Sequence, residues 1–351
     1  MGSGPSLLRV LTVKSSGTVT ILNETNTTAL LNELDQTFGI RTVGTKLKVI
    51  DPGDNIEIGT IFVGKSRISL REFNFPLVED IYVESANGAV GEEDNGTPLK
   101  RYIDRNDLFT VLFDDFALAY IDGSLYRDDL LADGGGNFLR HIRADDQLNN
   151  VTSEKGTFSI THRSFDTNSV FGTVINSIAD GDEVLICDDL GTEWADFIGI
   201  NGQARPKTIS FYHAKHGDLS LGASPFHVAV SQALKNLGRM TLAAEAIEAK
   251  LPIWSNTYSN DNVQTSILRF LRGDAATLQL MAEDTRQSPD TIRRVFIVTS
   301  SLSLRELEQT LTDISAGVAP KPHFVQLYWL LTSYLSACAE VGAYAYVVCQ
   351  E

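Results

Sequence analysis

Cysteine is scarce in this chain: three in 351 residues, Cys187, Cys338 and Cys349. Each lies in an apolar run and no two are spaced C-x-x-C, which leaves no disulfide framework and no thiol zinc site. The expectation is three buried, reduced thiols in a cytoplasmic protein. Positive charge is also short, with 29 Lys and Arg against 45 Asp and Glu, a formal net charge of −16. A protein that grips nucleic acid unaided presents a basic surface, so a partner or a local basic cluster would have to supply that grip. No uninterrupted apolar run is long enough for a membrane span. The most apolar region, 324–349, contains Gln326, Thr332, Ser333, Glu340 and Gly342, and reads as a buried helix followed by a strand. Met1–Pro5 is short and small, and no signal peptide is visible. Gly134-Gly135-Gly136 lacks the G-K-[ST] ending of a phosphate loop and reads as a connector. His216 and His227 have no second His at metal-binding spacing. No Ser/His/Asp or Cys/His arrangement is recognisable.

What is present is ordinary for a soluble globular chain, 43% hydrophobic and 21% charged, with length for one large or two medium domains. The first hundred residues alternate apolar and polar residues in short runs. Leu7–Leu22 reads as a hairpin, and Leu47–Ile50, Asn55–Val63 and Ser66–Leu70 as strands around the turn at 51–54. Thr27–Phe38 has helical spacing. The acidic, Gly- and Asn-rich stretch 85–98 reads as a loop near a boundary. This gives a β-rich N-terminal domain over 1–105, expected to dock a partner or regulate, and a second domain over 106–351. In the second, Ser266–Arg272 and Ala275–Glu283 read as helical. Arg293–Thr299 reads as a buried strand, and Ser303-x-x-Glu306 as a capping box opening a helix. Alternating helices and strands there point to an α/β or α+β core around a mixed sheet.

The rest of the chain is organised around Val184–His216, VLICDDLGTEWADFIGINGQARPKTISFYHAKH. Two apolar runs joined by an acidic turn, then a polar break and a third run, read as three consecutive strands. Asp196 falls within the second of them, where a carboxylate is costly to bury without a partner or a metal. His213 and Lys215, two apart on the third strand, are expected on one face beside Asp196. Glu193 precedes Asp196 by three residues. Carboxylates that hold Mg²⁺ or Mn²⁺, with a cation near the developing charge, are what phosphodiester hydrolysis requires.

This pattern resembles the core of PD-(D/E)xK nucleases. The longer run DDLGTEWADFI…ISFYHAK is similar to a DDGxGExADfi…YHCK pattern of nuclease modules beside or fused to superfamily-2 helicases in bacterial antiphage defence. The resemblance extends from about Leu108 to the C-terminus. It implies a restriction-endonuclease-like mixed-sheet core and a helix–meander–helix–strand order. It also implies a metal-dependent endonuclease, with Asp196, Glu193 and His213 as Mg²⁺ or Mn²⁺ ligands and Lys215 as the water-positioning cation. Gln232 and Lys235, on the helix Pro225–Met240, would contact nucleic acid. His213 stands where the family has an acidic residue. The family's helix-borne Glu has no counterpart between Phe165 and Ile178, so Glu193 or Asp189 would stand in. The resemblance further implies a helicase, ATPase or other defence subunit as partner, or self-association, and the interrupted apolar runs give the expectation of no membrane. The alternative reading is a catalytically degenerate nuclease fold used as a protein-interaction scaffold.

Overall fold

The computed structural model describes residues 10–15, 18–21, 38–51, 55–73, 81–84, 97–113, 117–121, 123–127, 135–260 and 263–351. The chain divides into two compact units, Met1–Asp128 and Asp129–Glu351. The sequence places the boundary at 105/106, but residues 106–127 group with the first unit. The reason is Tyr120. Its ring packs among Val49, Ile61, Ile68 and Phe73, and its hydroxyl accepts from Ile68 N at 3.2 Å and donates to Asp107 Oδ1 at 3.1 Å.

The first unit is built from short antiparallel strands, as expected. β1 (Val10–Ser15) and β2 (Thr18–Ile21) form the N-terminal hairpin, and β1 also pairs with β7 (Ile81–Glu84), which pairs with β8 (Thr97–Pro98). A four-stranded meander follows the order β3 (Gly39–Val43), β4 (Lys46–Ile50), β5 (Glu57–Val63), β6 (Ile68–Arg71). After helix α1 (Leu99–Arg105), strands β9 (Val111–Leu112), β10 (Leu118–Ile121) and β11 (Ser124–Arg127) make a third small sheet. The helix expected over 27–38 lies outside the described residues but for Phe38.

The second unit is α+β around one mixed seven-stranded sheet. Its strands are β12 (Ile142–Ala144), β13 (Val184–Cys187), β14 (Phe197–Asn201), β15 (Thr208–Lys215), β18 (Phe270–Arg272), β19 (Ile292–Ser303) and β20 (Ala343–Gln350), in the order β12-β20-β19-β15-β14-β13-β18. The meander β13–β14–β15 is antiparallel, as the apolar runs suggest, and β15 then pairs in parallel with β19, β19 with β20 and β20 with β12. Central strands buried on both faces read as continuous apolar runs rather than alternating ones, and VLIC of β13 is buried at all four positions.

On one face Leu185, Cys187, Phe197, Tyr212, Ala214, Phe296 and Val298 pack against Phe165, Val170, Phe171 and Val174. These last come from the stretch around the single turn α3 (Val170–Thr173), which continues as a π-turn over Val174–Ile178. Helix α2 (Gly136–Leu139) is another short turn. Longer helices follow: α4 (His227–Asn236), α5 (Ala244–Trp254), α6 (Ala275–Gln287), α7 (Leu304–Ser315) and α8 (Pro322–Glu340). Helix α4 packs on β15, α6 on β14 and α8 on β20. The capping box is realised: Ser303 Oγ accepts from Glu306 N at 3.3 Å. Ser266–Arg272, expected to be helical, is strand. Thr257–Asn260 (β16) pairs with Val263–Leu268 (β17), and Phe270–Arg272 adds to the edge of the main sheet. The burial of β17 alternates, with Thr265 and Ile267 in and their neighbours out, a period of two that a one-sided strand requires.

Gly199 of β14 is needed for close approach. A Cβ there would lie 1.8 Å from Asp182 Oδ2, the atom that accepts the Tyr212 hydroxyl at 2.6 Å. Gly199→Ala must therefore break a buried hydrogen bond as well as overpack the sheet, and a loss of roughly 2–4 kcal/mol is expected in denaturant unfolding. Wild-type stability in that variant would show that Asp182 has room to withdraw.

Candidate functional site

The end of the meander where β13 leaves and β14 enters collects the charged residues. Asp196 immediately precedes β14 rather than lying inside it, and its backbone O accepts from Asp188 N at 2.9 Å. Its carboxylate is buried, and Oδ2 accepts from Ala214 N of β15 at 2.7 Å. Burial pushes the Asp196 carboxyl up to about 8, the Ala214 N–H opposes the rise, Asp189 and Glu154 add to it and Lys155 opposes it. Those influences identify the neighbourhood of Asp196 as Asp189, Lys155 and Glu154.

Glu154 is the residue that the sequence does not single out. It lies in a polar stretch, outside the 165–178 window in which the helix-borne Glu is expected. The backbone carries it to the start of α3: Val170 N donates to Ser153 O at 3.1 Å and Phe171 N to Glu154 O at 2.9 Å. Glu154 Oε2 then lies 2.9 Å from Lys215 Nζ at the end of β15. Lys155 Nζ lies 2.8 Å from Asp189 Oδ2. Burial works against the Lys155 ammonium, but Asp189, Asp196 and Glu154 outweigh it and raise its pKa. Asp189 Oδ2 also accepts from Tyr258 at 2.8 Å, and its carbonyl from Arg269 at 3.1 Å. Two lysines and three carboxylates thus gather where β13 leaves, β14 enters and β15 ends.

The other expected ligands go elsewhere. Glu193 Oε1 accepts from Gln232 Nε2 of α4 at 3.1 Å, and the Glu193 carbonyl from Asn236 at 3.2 Å. Gln232 therefore braces Glu193. His213 is buried, its Nε2 has no hydrogen-bond partner among the described residues, and burial with the nearby Lys235 charge lowers its pKa to about 3. Among the described residues, Asp196, Glu193 and His213 do not come together as a group that could hold a metal. Strand alternation holds for His213, whereas Lys215, the last residue of β15, is half-exposed and reaches Glu154. Lys235 is exposed on α4, as its expected role requires.

Among the described residues, no three His, Cys, Asp or Glu side chains gather as a ready metal cage. Mg²⁺ does not need one, since it is commonly held by one or two carboxylates with water and substrate phosphates completing the octahedron. Asp196 and Glu154 are hard oxygen donors whose mutual repulsion contributes to the raised pKa of Asp196, and that donor chemistry fits the ion.

The raised pKa has a definite sign. A carboxyl near 3.8 in the unfolded chain and about 8 in the fold favours folding in its protonated form. Its contribution is full below pH ~4 and is lost as pH rises to ~8, at about 1.4 kcal/mol per unit. In metal-free protein, Asp196→Asn is expected to gain Tm relative to wild type between pH 5 and pH 8. An equal Tm difference at both pH values would show an ordinary carboxyl.

No family model matches the chain, and neither a curated protein nor a solved structure matches it. No described helix is long and apolar enough to cross a membrane.

Proposed function

We propose that the second unit is a metal-dependent nuclease of the restriction-endonuclease-like type, hydrolysing a phosphodiester, with DNA the leading substrate. The observation that carries this reading is the grouping of Asp196, Glu154 and Lys215 at the shared end of β14 and β15, within a helix–meander–helix–strand order. Asp196 and Glu154 would hold Mg²⁺ or Mn²⁺, which when bound supplies Lewis-acid polarisation of the phosphate and a more acidic water. Lys215 pairs with the Glu154 carboxylate until a metal takes its place and, half-exposed, is free to turn its ammonium toward incoming phosphate. Charge then develops on the phosphate oxygens beside a fixed cation, where preorganised electrostatics lower the barrier. Asp189 and Lys155 neutralise each other and hold the wall behind Asp196. Lys235 offers a cation to the nucleic-acid backbone. The acidic chain would meet nucleic acid through a helicase, ATPase or other subunit, or by self-association, and by the sequence resemblance it would serve as an effector in bacterial defence.

A second reading rests on one observation, the buried neutral His213 where a nuclease of this type has an acid. On that reading the core is a scaffold that binds no metal. The experiment is cleavage of plasmid and single-stranded DNA with Mg²⁺ or Mn²⁺, comparing wild type, Asp196→Ala, Glu154→Gln and Lys215→Ala, with a parallel Mn²⁺ titration. Absence of both cleavage and Mn²⁺ binding, with and without the product of a neighbouring gene, would overturn the nuclease reading in favour of the scaffold.

A further inference from the structure

A second charged group lies behind the acidic turn, and the proposed chemistry does not account for it. Asp188 follows the last residue of β13 and is fully buried, and Lys250 of α5 is 7% exposed. Lys250 Nζ donates to Asp188 Oδ1 at 2.8 Å and Oδ2 at 3.1 Å, and to the Thr192 carbonyl at 2.8 Å. Asp188 Oδ2 also accepts from Trp194 N at 2.8 Å, and Oδ1 from Trp254 Nε1 at 2.7 Å. The rings of Trp194 and Trp254 meet edge-on with centroids 5.5 Å apart, and the ammonium lies 5.5 Å and 6.0 Å from them. Lys250 and Trp254 are four apart on α5, so one helical face presents both.

We propose that Asp188 and Lys250 form a buried clamp whose work is to position Asp196. The inference rests on the nuclease reading for its purpose, though not for its geometry. The turn from Asp188 to Asp196 is tied at alternate residues. Thr192 is held by its carbonyl to Lys250, Trp194 by its N–H to Asp188, and Asp196 by its carbonyl to the Asp188 N–H. Asp189, next in the chain, is held by Lys155, Tyr258 and Arg269. The turn is therefore anchored through its first two residues to different elements, and Asp196 enters β14 with its carboxylate already aimed at Ala214 N.

Fold stability alone does not call for such a pair. Removing two charges from water is costly, and apolar residues of similar volume often serve stability equally well or better. What an apolar pair cannot do is accept from Trp194 N and Trp254 Nε1 and donate to Thr192 O together. Those three bonds set where the turn lies. Asp188 and Lys250 are positioning residues, since neither is bonded to Asp196 through its side chain.

The test uses Asp188→Asn/Lys250→Met, which removes both charges at nearly constant shape, with wild type and Asp196→Ala as references. Asn has a single carbonyl oxygen where the carboxylate has two, so it satisfies Trp194 N or Trp254 Nε1 and turns a donor toward the other. The double variant is expected to fold, while the Ala214 amide, whose acceptor is Asp196 Oδ2, exchanges with solvent about 5–10-fold faster, the effect of weakening one hydrogen bond. Amides of β19 should keep their protection. The Mn²⁺ Kd should rise about 10–100-fold, as when a group supporting a ligand is lost, and cleavage should fall with it. A folded double variant with wild-type Ala214 exchange and wild-type Mn²⁺ binding overturns the clamp and leaves the nuclease reading intact. If wild type itself binds no Mn²⁺, the nuclease reading fails, and Ala214 exchange alone decides the clamp. If the double variant does not fold, Lys250→Arg replaces it. A guanidinium retains the charge but not the three-way geometry, so wild-type Ala214 exchange in that variant would equally overturn the proposal.

Discussion

Asp196→Ala is expected to abolish cleavage in the presence of Mg²⁺ or Mn²⁺ while leaving the protein folded. The carboxyl is buried and burial disfavours its charged form, so its removal leaves no unpaired charge inside the fold. Losses at groups that merely support metal ligands reach about 10–100-fold, and losing a ligand itself should exceed that range. Lys215→Ala should act by a different route. The Glu154 carboxylate loses its ion pair and the phosphate loses a fixed cation, for which about 100–1,000-fold in kcat is expected. Mn²⁺ binding in that variant should persist, because Lys215 is a competitor for Glu154 and not a ligand. Glu154→Gln keeps the shape and removes the charge, so it should weaken Mn²⁺ binding and leave Tm close to wild type. Cleavage by Asp196→Ala at the wild-type rate would remove the site from consideration, whatever the other variants did.

Lys250→Met should be the most destabilising exchange of a charged residue in the second unit. It leaves the Asp188 carboxylate fully buried with only Trp194 N and Trp254 Nε1 as donors. Breaking a buried pair by removing one partner costs about 3–5 kcal/mol, because an uncompensated charge stays inside. For a unit of this size that corresponds to a Tm fall on the order of 10 °C. Adding Asp188→Asn should recover much of that loss, since the orphaned charge disappears. The two measurements separate stability from position: the double variant regains Tm without regaining the placement of Asp196. A Lys250→Met protein with wild-type Tm would mean that water reaches Asp188.

Strand identity was legible wherever burial is two-sided. VLIC is apolar throughout, and TISFYHA and RRVFIVT are rich in apolar and β-branched residues without strict alternation, because both faces of β13, β15 and β19 are covered. The same reasoning faltered at Ser266–Arg272. There the apolar residues of SILRFLR fit a helical spacing, whereas the hairpin with β16 and the pairing of Phe270–Arg272 with the sequence-distant β13 make them strand. The long polar stretch before α3 carried no local signal at all, and Glu154 was missed for that reason.

Asp196 and Lys215 were visible in the sequence as a carboxylate costly to bury and a lysine ending the next strand, and the adjacency of those strands follows from the short turn between them. Their partners were not visible. Glu154 reaches Lys215 only because residues 153 and 154 pair with 170 and 171. Glu193 turns to Gln232 because α4 presents an amide there, and His213 faces α4 because strand alternation puts it on that side. The apolar periodicity of the chain by itself determined a mixed sheet with an antiparallel meander and a charged turn, since the period at which side chains face a core is set by local backbone geometry. Which charges meet at that turn was decided only by the tertiary structure, because an ion pair forms wherever folding brings two side chains within a few ångströms, and sequence separation does not enter into it.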